Sequence, residues 1–248
     1  MKLLAWNVRG IGPSLTFQTA VGLVRSNTPD LVFFYETRSS RRVVSRRMRG
    51  LGFAISNCFF VDAVDASGGL VVAWSPEVDA SVFYHSDFCT CVRINEVDFS
   101  YIVVCAYISC NNSIRASQLA HLQELCSTFH LPYVIMGDFN TTLHESEKDG
   151  GNPWNASQAI SLRDFIHELG LHDPGFLGDQ FTWTNKRMGA ACIRERLDRA
   201  LCSNLWMERF PETLVKHFTD QGSDHRAILL SDKAYARNCR PLFRFDAR

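Results

Sequence analysis

The chain has 248 residues, of which 46% are hydrophobic and 12% aromatic, so it can bury a core as one large domain or as two small ones. Lys plus Arg and Asp plus Glu both number 26, which excludes a protein that binds nucleic acid through its overall charge. No apolar run approaches the roughly 18 residues of a membrane span, and the apolar run at the N-terminus is too short for a signal peptide. Nine cysteines without a CxxC pair predict reduced, buried thiols in an intracellular protein.

The first half of the chain predicts strands that alternate with helices, followed by a mainly β segment. A strand at 3–7 precedes a helix at 14–27, and the continuous apolar run at 30–36 predicts a strand that is buried on both faces. The sequence "SSRRVVSRRMR" at 39–49 predicts a basic helix. Further strands are predicted at 53–60, 69–74, 80–84, 89–94 and 99–108.

The second half predicts helices at 114–130 and 156–169 on either side of the strand that ends in "YVIMGDFN" at 133–140. The last third predicts strands at 181–185, 195–203, 213–218 and 226–231, with a short helix around 205–209. The chain contains no internal repeat, low-complexity segment or long linker. One domain of α/β class is therefore the economical interpretation.

Polar side chains stand at the predicted strand ends, where an apolar strand would otherwise be expected to enter a simple turn. In an open α/β sheet, strand ends converge on one edge and form sites there. Neither a GxSxG motif nor a GxxxxGK[ST] loop is present. Carboxylates and amides without thiolates suit Mg²⁺, and the implied reaction is metal-assisted hydrolysis of a phosphate ester. The residues are Asn7, Glu36, Tyr107, Asp138, Asn140, Thr182, Asp198, Asp224 and His225.

Each of these residues also has a structural explanation when it is taken alone. Asp138 could cap a turn, Glu36 could begin a helix, and Asp224 with His225 could be an ordinary surface dipeptide. Their joint occurrence at the ends of apolar strands favours a functional site.

Five motifs in fixed order then resemble the endonuclease/exonuclease/phosphatase superfamily: "WNVRG" at 6–10, "YET" at 35–37, "GDFN" at 137–140, "RLDRAL" at 196–201 and "SDH" at 223–225. Further segments resemble the endonuclease domain of plant-type non-LTR (LINE-like) retrotransposons, namely "SGGLVVAW" at 67–74, "FTWTN" at 181–185, "IRERLDRAL" at 193–201 and "RPLFRF" at 240–245. The resemblance implies a four-layer α/β sandwich, with two β-sheets packed face to face and helices outside. It also implies an endonuclease/exonuclease/phosphatase domain at 1–235 and, at 236–248, the start of a linker toward an absent reverse transcriptase.

The same resemblance assigns roles to the polar residues. Glu36, Asn7 and Asp224 would bind Mg²⁺, or Mn²⁺ in its place. Asp138 would orient or deprotonate the attacking water, and Asp198 would hold the imidazole of His225, which stabilises charge on the phosphate. A histidine beside a carboxylate stays oriented and is more easily cationic, which supports this pairing on physical grounds. Asn140 and Tyr107 would contact the scissile phosphate and Thr182 the substrate, although Ile108 stands where the family usually has glycine after the tyrosine.

DNA is the substrate that the resemblance implies, and it requires a local basic patch. The segment 38–49 offers Arg41, Arg42, Arg46 and Arg47 for phosphate contacts, although a solvated helix face would have the same composition. A second basic stretch at 185–196 resembles the hairpin with which the family probes DNA. The expected protein is a nuclear monomer that acts on DNA, has no membrane partner and is normally fused to a reverse transcriptase. The alternatives are a hydrolase of small phosphate esters from the same superfamily and a catalytically idle transposon remnant or DNA-binding module.

Overall fold

The computed structural model describes residues 1–64, 68–219 and 221–233. The predicted linker at 236–248, like the end of the predicted domain at 235, lies outside the described residues. The α-helices in the described ranges are α1 (Ser14–Asn27), α2 (Arg41–Gly50), α3 (Asn112–Ser127), α4 (Ile160–Glu168) and α5 (Asn204–Arg209). The strands are β1 (Lys2–Asn7), β2 (Leu31–Tyr35), β3 (Cys58–Val61), β4 (Leu70–Trp74), β5 (Asp79–His85), β6 (Cys89–Asn95), β7 (Ser100–Tyr107), β8 (Tyr133–Asp138), β9 (Lys148–Asp149), β10 (Phe176–Leu177), β11 (Trp183–Thr184), β12 (Arg194–Glu195), β13 (Asp198–Cys202), β14 (Leu214–His217) and β15 (Ile228–Ser231).

Two large sheets form the centre of the fold. The first has seven strands in the order β10-β14-β15-β1-β2-β4-β3, and the second has five in the order β13-β8-β7-β6-β5. A small sheet of three strands, β11-β12-β9, is separate from both. The parallel pairs β1–β2 and β7–β8 lie at the middle of the two large sheets, so their carboxyl ends can meet at one edge.

Three apolar cores separate four layers, which confirms the α/β sandwich. The alternation of side chains along β2 shows why its continuous apolar sequence is needed. Phe33 and Tyr35 lie in the core between the two sheets, whereas Val32 and Phe34 lie in the outer core that faces α1 and α2. A third core packs the opposite face of the second sheet against α3 and α4.

The structure departs from the predicted elements where local side-chain contacts decide the boundary. The predicted strand at 53–60 begins as a 3₁₀ turn over Ile55–Asn57, and β3 follows it. Helix α3 begins two residues before the predicted start because the Asn111 side chain accepts hydrogen bonds from the backbone amides of Ser113 and Ile114 at 3.0 and 3.2 Å. The predicted strand at 195–203 is divided into β12 and β13, which belong to different sheets. Strands β9 and β10 were not predicted, since two residues carry no periodicity.

None of the helices in the described part of the chain is long and apolar enough to cross a bilayer. The cysteines in the same ranges are all free thiols.

Candidate active site

The register of the strands brings the predicted polar residues to one edge. Asn7 is opposite Tyr35 in the parallel pair β1–β2, and Tyr107 is opposite Asp138 in the parallel pair β7–β8. Asp198 is also opposite Asp138, but β13 runs antiparallel to β8, so Asp198 begins its strand. His225 likewise precedes β15, which is antiparallel to β1. The carboxyl ends of the parallel strands and the amino ends of the antiparallel strands therefore lie at the same edge.

The "GDFN" turn has a backbone that requires its glycine. Gly137 has a φ of +146°, and a Cβ there would lie 1.8 Å from the carbonyl oxygen of Ala106 on the neighbouring strand. After the turn, the Asn140 amide donates to Asp138 Oδ1 at 2.8 Å, and Asn140 Nδ2 donates to the Ile108 carbonyl at 2.8 Å. Asn140 therefore fixes the loop that carries Asp138, and its contact with a phosphate stays a prediction.

Asp198 and His225 form a buried pair. His225 Nδ1 lies 2.9 Å from Asp198 Oδ2, and because a carboxylate can only accept, we assign the proton to Nδ1. Tyr35 donates its hydroxyl to the other oxygen, Asp198 Oδ1, at 2.5 Å. Thr182 Oγ1 accepts the backbone amides of Leu197 and Asp198, both at 2.9 Å. The Thr182 side chain is fully buried beneath Asp198, so it supports the pair in this structure, and a substrate contact stays a prediction.

Asn7 connects this pair to Glu36. Asn7 Nδ2 lies 2.9 Å from Glu36 Oε1 and 3.2 Å from Asp138 Oδ2, and it is 3.4 Å from His225 Nε2. The Tyr107 hydroxyl donates to Glu36 Oε1 at 2.8 Å, so the replacement of glycine by Ile108 leaves Tyr107 aimed at the site.

Two arginines cover the outer oxygen of Glu36. Arg9 Nη1 lies 3.3 Å from Glu36 Oε2, and Arg9 Nε lies 3.0 Å from Asp224 Oδ1. Arg38 also donates to Glu36 Oε2. The second oxygen of Asp224 accepts the indole N–H of Trp183 at 3.1 Å.

Burial and charge shift the pKa values of the central groups. Burial raises the pKa of Asp138 well above its ordinary value, and the neighbouring charge of Asp198 adds to this effect. Burial alone would lower the pKa of His225, but the charges of Asp198 and Asp138 outweigh it and raise this pKa to about 9. These charges therefore favour the cationic form of the imidazole at neutral pH.

Glu36 and Asp224 are held in their ionised forms. Burial opposes ionisation of Glu36, but hydrogen bonds from Asn7 and Tyr107 and the charges of Arg9 and Arg38 outweigh it and lower its pKa. Burial likewise opposes ionisation of Asp224, whose pKa is lowered by His225, Arg9 and Trp183. The site thus holds two carboxylates whose ionised forms are favoured, and of the two Asp224 is the more exposed.

Two groups of residues could hold a metal ion. Ligand atoms of Asp138, Asp198 and His225 all lie within 4.8 Å of one another, but Asp198 and His225 already satisfy each other. Glu36 and Asp224, with the amide oxygen of Asn7, offer only oxygen atoms, and the guanidinium of Arg9 between the two carboxylates shows that this position attracts a cation. The second group fits a hard divalent cation better.

The arginines of α2 differ in their surroundings. Arg47 stacks on the ring of Phe17, with 4.4 Å between its Cζ and the ring centroid, and donates to the Gly12 carbonyl, so it packs the helix. Arg41 pairs with Asp62 at 2.9 Å. Arg42 and Arg46 are exposed and have no ion pair within the described residues. A phosphate contact stays a prediction for all four residues, and Arg42 and Arg46 are the ones whose charge is available for it.

Sequence reasoning missed several residues that complete the site. Arg9 lies within the "WNVRG" motif, and its polarity next to Asn7 could have identified it. Arg38 was noted only as part of a basic segment. Tyr35 lies inside an apolar run, where a buried tyrosine is usual in a core, so its contact with Asp198 had no signal in the sequence.

The family model described as the Endonuclease/Exonuclease/phosphatase family matches residues 4–225 of the chain. No curated protein sequence matches this chain significantly. Among solved structures, an AP endonuclease from Archaeoglobus fulgidus is similar with a TM-score of 0.71 and 17% identity, covering 93% of this chain and 98% of the other. The 3′-5′ exonuclease NExo from Neisseria meningitidis is similar with a TM-score of 0.70 and 15% identity, and the match covers 95% of this chain and 100% of the exonuclease. The endonuclease domain of TRAS1, a telomere-specific non-LTR retrotransposon, is similar with a TM-score of 0.67 and 15% identity, and the match covers 93% of this chain and 97% of that domain. At these identities the similarity shows the fold.

Proposed function

The chain belongs to the endonuclease/exonuclease/phosphatase family, and from this premise we propose that it is a divalent-metal-dependent phosphodiesterase that nicks DNA. Members of this family are nucleases and phosphatases that hydrolyse phosphate esters. One observation carries the proposal: Asn7 Nδ2 joins Glu36 to Asp138, and His225 Nδ1 lies 3.8 Å from Asp138 Oδ2, at the shared edge of the two sheets. A buried network of this composition would be costly to maintain for folding alone.

The geometry supports a division of roles for in-line attack on a phosphodiester. Asp138, whose pKa is raised, suits a group that takes a proton from water near neutral pH. His225, held through Nδ1 by Asp198, keeps Nε2 free of that pairing, and Nε2 would stabilise the charge on a phosphate oxygen. Asn140 and Tyr107 would position the phosphate. Glu36, Asn7 and Asp224 would hold Mg²⁺, which would supply charge neutralisation at the phosphate oxygens.

Two basic surfaces support DNA as the substrate. Arg42 and Arg46 are exposed on α2, close in sequence to Glu36. The hairpin between β11 and β12 carries Lys186, Arg187 and Met188, and the Met188 side chain is 91% exposed. A basic hairpin with an exposed apolar tip suits insertion into a DNA groove.

We also propose that the protein is a monomer that acts in the nucleus. It would serve as the target-nicking domain of a plant LINE-like element, fused to a reverse transcriptase through a linker that starts at 236–248.

The substrate class is tested by supplying the protein, with Mg²⁺, either supercoiled plasmid or small phosphate esters such as inositol phosphates. We expect nicked circles from the plasmid and no phosphate release from the esters. Ester hydrolysis without nicking would assign the chain to the small-ester branch of the family. Failure with both substrates by folded protein would favour the idle remnant or DNA-binding module.

The α2 surface gives a quantitative prediction for binding. The double substitution Arg42→Ala/Arg46→Ala should reduce the slope of log K against log salt concentration by about 2, because each phosphate contact contributes about 0.9. Binding to a labelled duplex is measured in EDTA, so that the DNA is not cut. The matched control, Arg93→Ala/Arg209→Ala, removes the same charge far from the site. Arg209 lines the same pocket as Met1, which precedes β1, and Arg93 is opposite Ile102 near the start of β7. Equal slopes for both double variants would remove α2 from the DNA surface.

A further inference from the structure

Arg9 contacts every residue that we propose as a ligand of the divalent cation. Its backbone amide donates to Asn7 Oδ1 at 3.2 Å, its Nε to Asp224 Oδ1 at 3.0 Å, and its Nη1 to Glu36 Oε2 at 3.3 Å. The side chain is 37% exposed, so the guanidinium lies at the boundary between the site and solvent. Arg38 contacts Glu36 but not Asp224, which leaves Arg9 as the residue that joins the two carboxylates.

The other oxygens of the two carboxylates are already occupied. Glu36 Oε1 lies within hydrogen-bond distance of Asn7 Nδ2 and the Tyr107 hydroxyl, and Asp224 Oδ2 accepts from the Trp183 indole. Glu36 Oε2 and Asp224 Oδ1 instead face the partly exposed side chains of Arg9 and, at Glu36 Oε2, of Arg38, so these are the oxygens that a cation entering from solvent would reach. These are the two oxygens that Arg9 occupies, so a guanidinium and a divalent cation cannot both hold them.

We propose that Arg9 is an internal counter-ion that competes with the divalent cation for Glu36 and Asp224, and that cation binding releases its guanidinium from these oxygens. The inference rests on the proposed metal site. Without a cation, Arg9 offsets the repulsion between two ionised carboxylates, which keeps the site assembled. With the cation bound, the released guanidinium remains at the boundary between the site and solvent, because the Arg9 side chain is already partly exposed. Arg9 is thus a positioning residue for the metal site.

Binding of Mn²⁺ in the absence of DNA tests this competition, because it needs no turnover. Free Mn²⁺ is followed by electron paramagnetic resonance during titration of the full chain and of Arg9→Gln. We expect the Kd for Mn²⁺ to fall at least about fivefold in Arg9→Gln, since two charge-assisted contacts no longer have to be broken. Arg9→Lys keeps the charge but cannot span both carboxylates in the same way. Its Kd for Mn²⁺ should therefore lie between that of the unsubstituted chain and that of Arg9→Gln. The charge control Arg93→Gln, at an exposed position on β6, should bind as the unsubstituted chain does.

The outcomes separate this inference from the proposed function. Unchanged or weaker Mn²⁺ binding by folded Arg9→Gln would overturn the competition, even if Glu36→Gln weakens binding and so supports the metal site. Equal tightening in Arg93→Gln would also overturn it, because the effect would then be one of net charge. Mn²⁺ binding that Glu36→Gln leaves unchanged, or no binding by any of the proteins, would overturn the metal site together with the role of Arg9.

Discussion

Replacing His225 with alanine is expected to lower the single-turnover rate of plasmid nicking by roughly 10²–10³-fold, the usual cost of one lost transition-state donor. His225 is buried to 2% exposure, and its Nδ1 is fixed by Asp198, so Nε2 has a defined direction. The imidazolium is favoured because the charges of Asp198 and Asp138 outweigh the effect of burial on its pKa. No other cationic side chain within the described residues is held by Asp198 in this way.

Two further variants distinguish a loss of catalysis from a loss of folding. Alanine at 225 leaves the Asp198 carboxylate without one buried partner, although Tyr35 still donates to it at 2.5 Å. His225→Gln keeps a polar group in the same place and should also be slow, with a melting temperature closer to that of the unsubstituted chain. The control His144→Ala changes an exposed histidine and should nick at the original rate. Folded His225→Gln that nicks within about threefold of that rate would contradict the role of His225.

Replacing Glu147 with alanine is expected to lower the free energy of unfolding by about 3–5 kcal/mol, the usual cost of removing one partner of a buried ion pair, because Arg199 loses its close carboxylate. Glu147 accepts two hydrogen bonds from Arg199, at 3.0 and 2.9 Å, one from Arg196 at 3.2 Å and one from the Leu143 amide at 2.6 Å. The Arg199 side chain is fully buried. Both arginines flank Asp198 in the chain, so the same network holds the segment that positions the site.

The effect of Glu147 should depend on pH in a defined direction. Burial opposes its ionisation, but the hydrogen bonds and charge of Arg199 outweigh burial and lower the pKa to about 2. Because this pKa is lowered, ionised Glu147 stabilises the fold fully at a pH above the ordinary glutamate pKa of 4.5, and this contribution is lost as the pH falls toward 2. The stability difference between the unsubstituted chain and Glu147→Ala should therefore shrink across that range.

Urea denaturation monitored by circular dichroism measures the loss, with Asp149→Ala as the control. Asp149 pairs with Arg194 at 2.5 Å, but both side chains are about half exposed, at 55% and 43%. An exposed pair is worth at most about 1 kcal/mol, so this variant should be nearly as stable as the original. Equal losses in Glu147→Ala and Asp149→Ala would show that the buried network contributes no more than a surface pair.

The sequence alone predicts the features that follow from hydrophobic periodicity and from the polar residues at strand ends. The apolar run before Glu36 predicts a doubly buried strand, and the structure places its alternate residues in two different cores. Polar residues at the ends of such strands predict a common edge, and Asn7, Glu36 and Asp138 do meet there. The resemblance to the family supplied the sandwich and the pairing of Asp198 with His225, which strand patterns alone do not contain.

Features that depend on partners distant in sequence could not be predicted. Arg47 looks like its neighbours in "SSRRVVSRRMR", and only the position of the Phe17 ring identifies it as a packing residue. Tyr35 contacts Asp198 across 163 positions of sequence, and this contact depends on how the two sheets face each other. The division of 195–203 between two sheets likewise reflects tertiary pairing of β12 with β9 and β11, which overrides the local strand pattern.

Incubation of supercoiled plasmid with the unsubstituted protein, in Mg²⁺ and in EDTA, tests the central claim most directly. A metal-dependent phosphodiesterase should convert the plasmid to open circles in Mg²⁺, and EDTA should abolish this conversion. The protein is first shown to be folded by its circular dichroism and cooperative melting. Intact plasmid in Mg²⁺, or equal nicking in EDTA, would contradict the claim that Glu36, Asp138 and His225 form a metal-dependent DNA-cleaving centre.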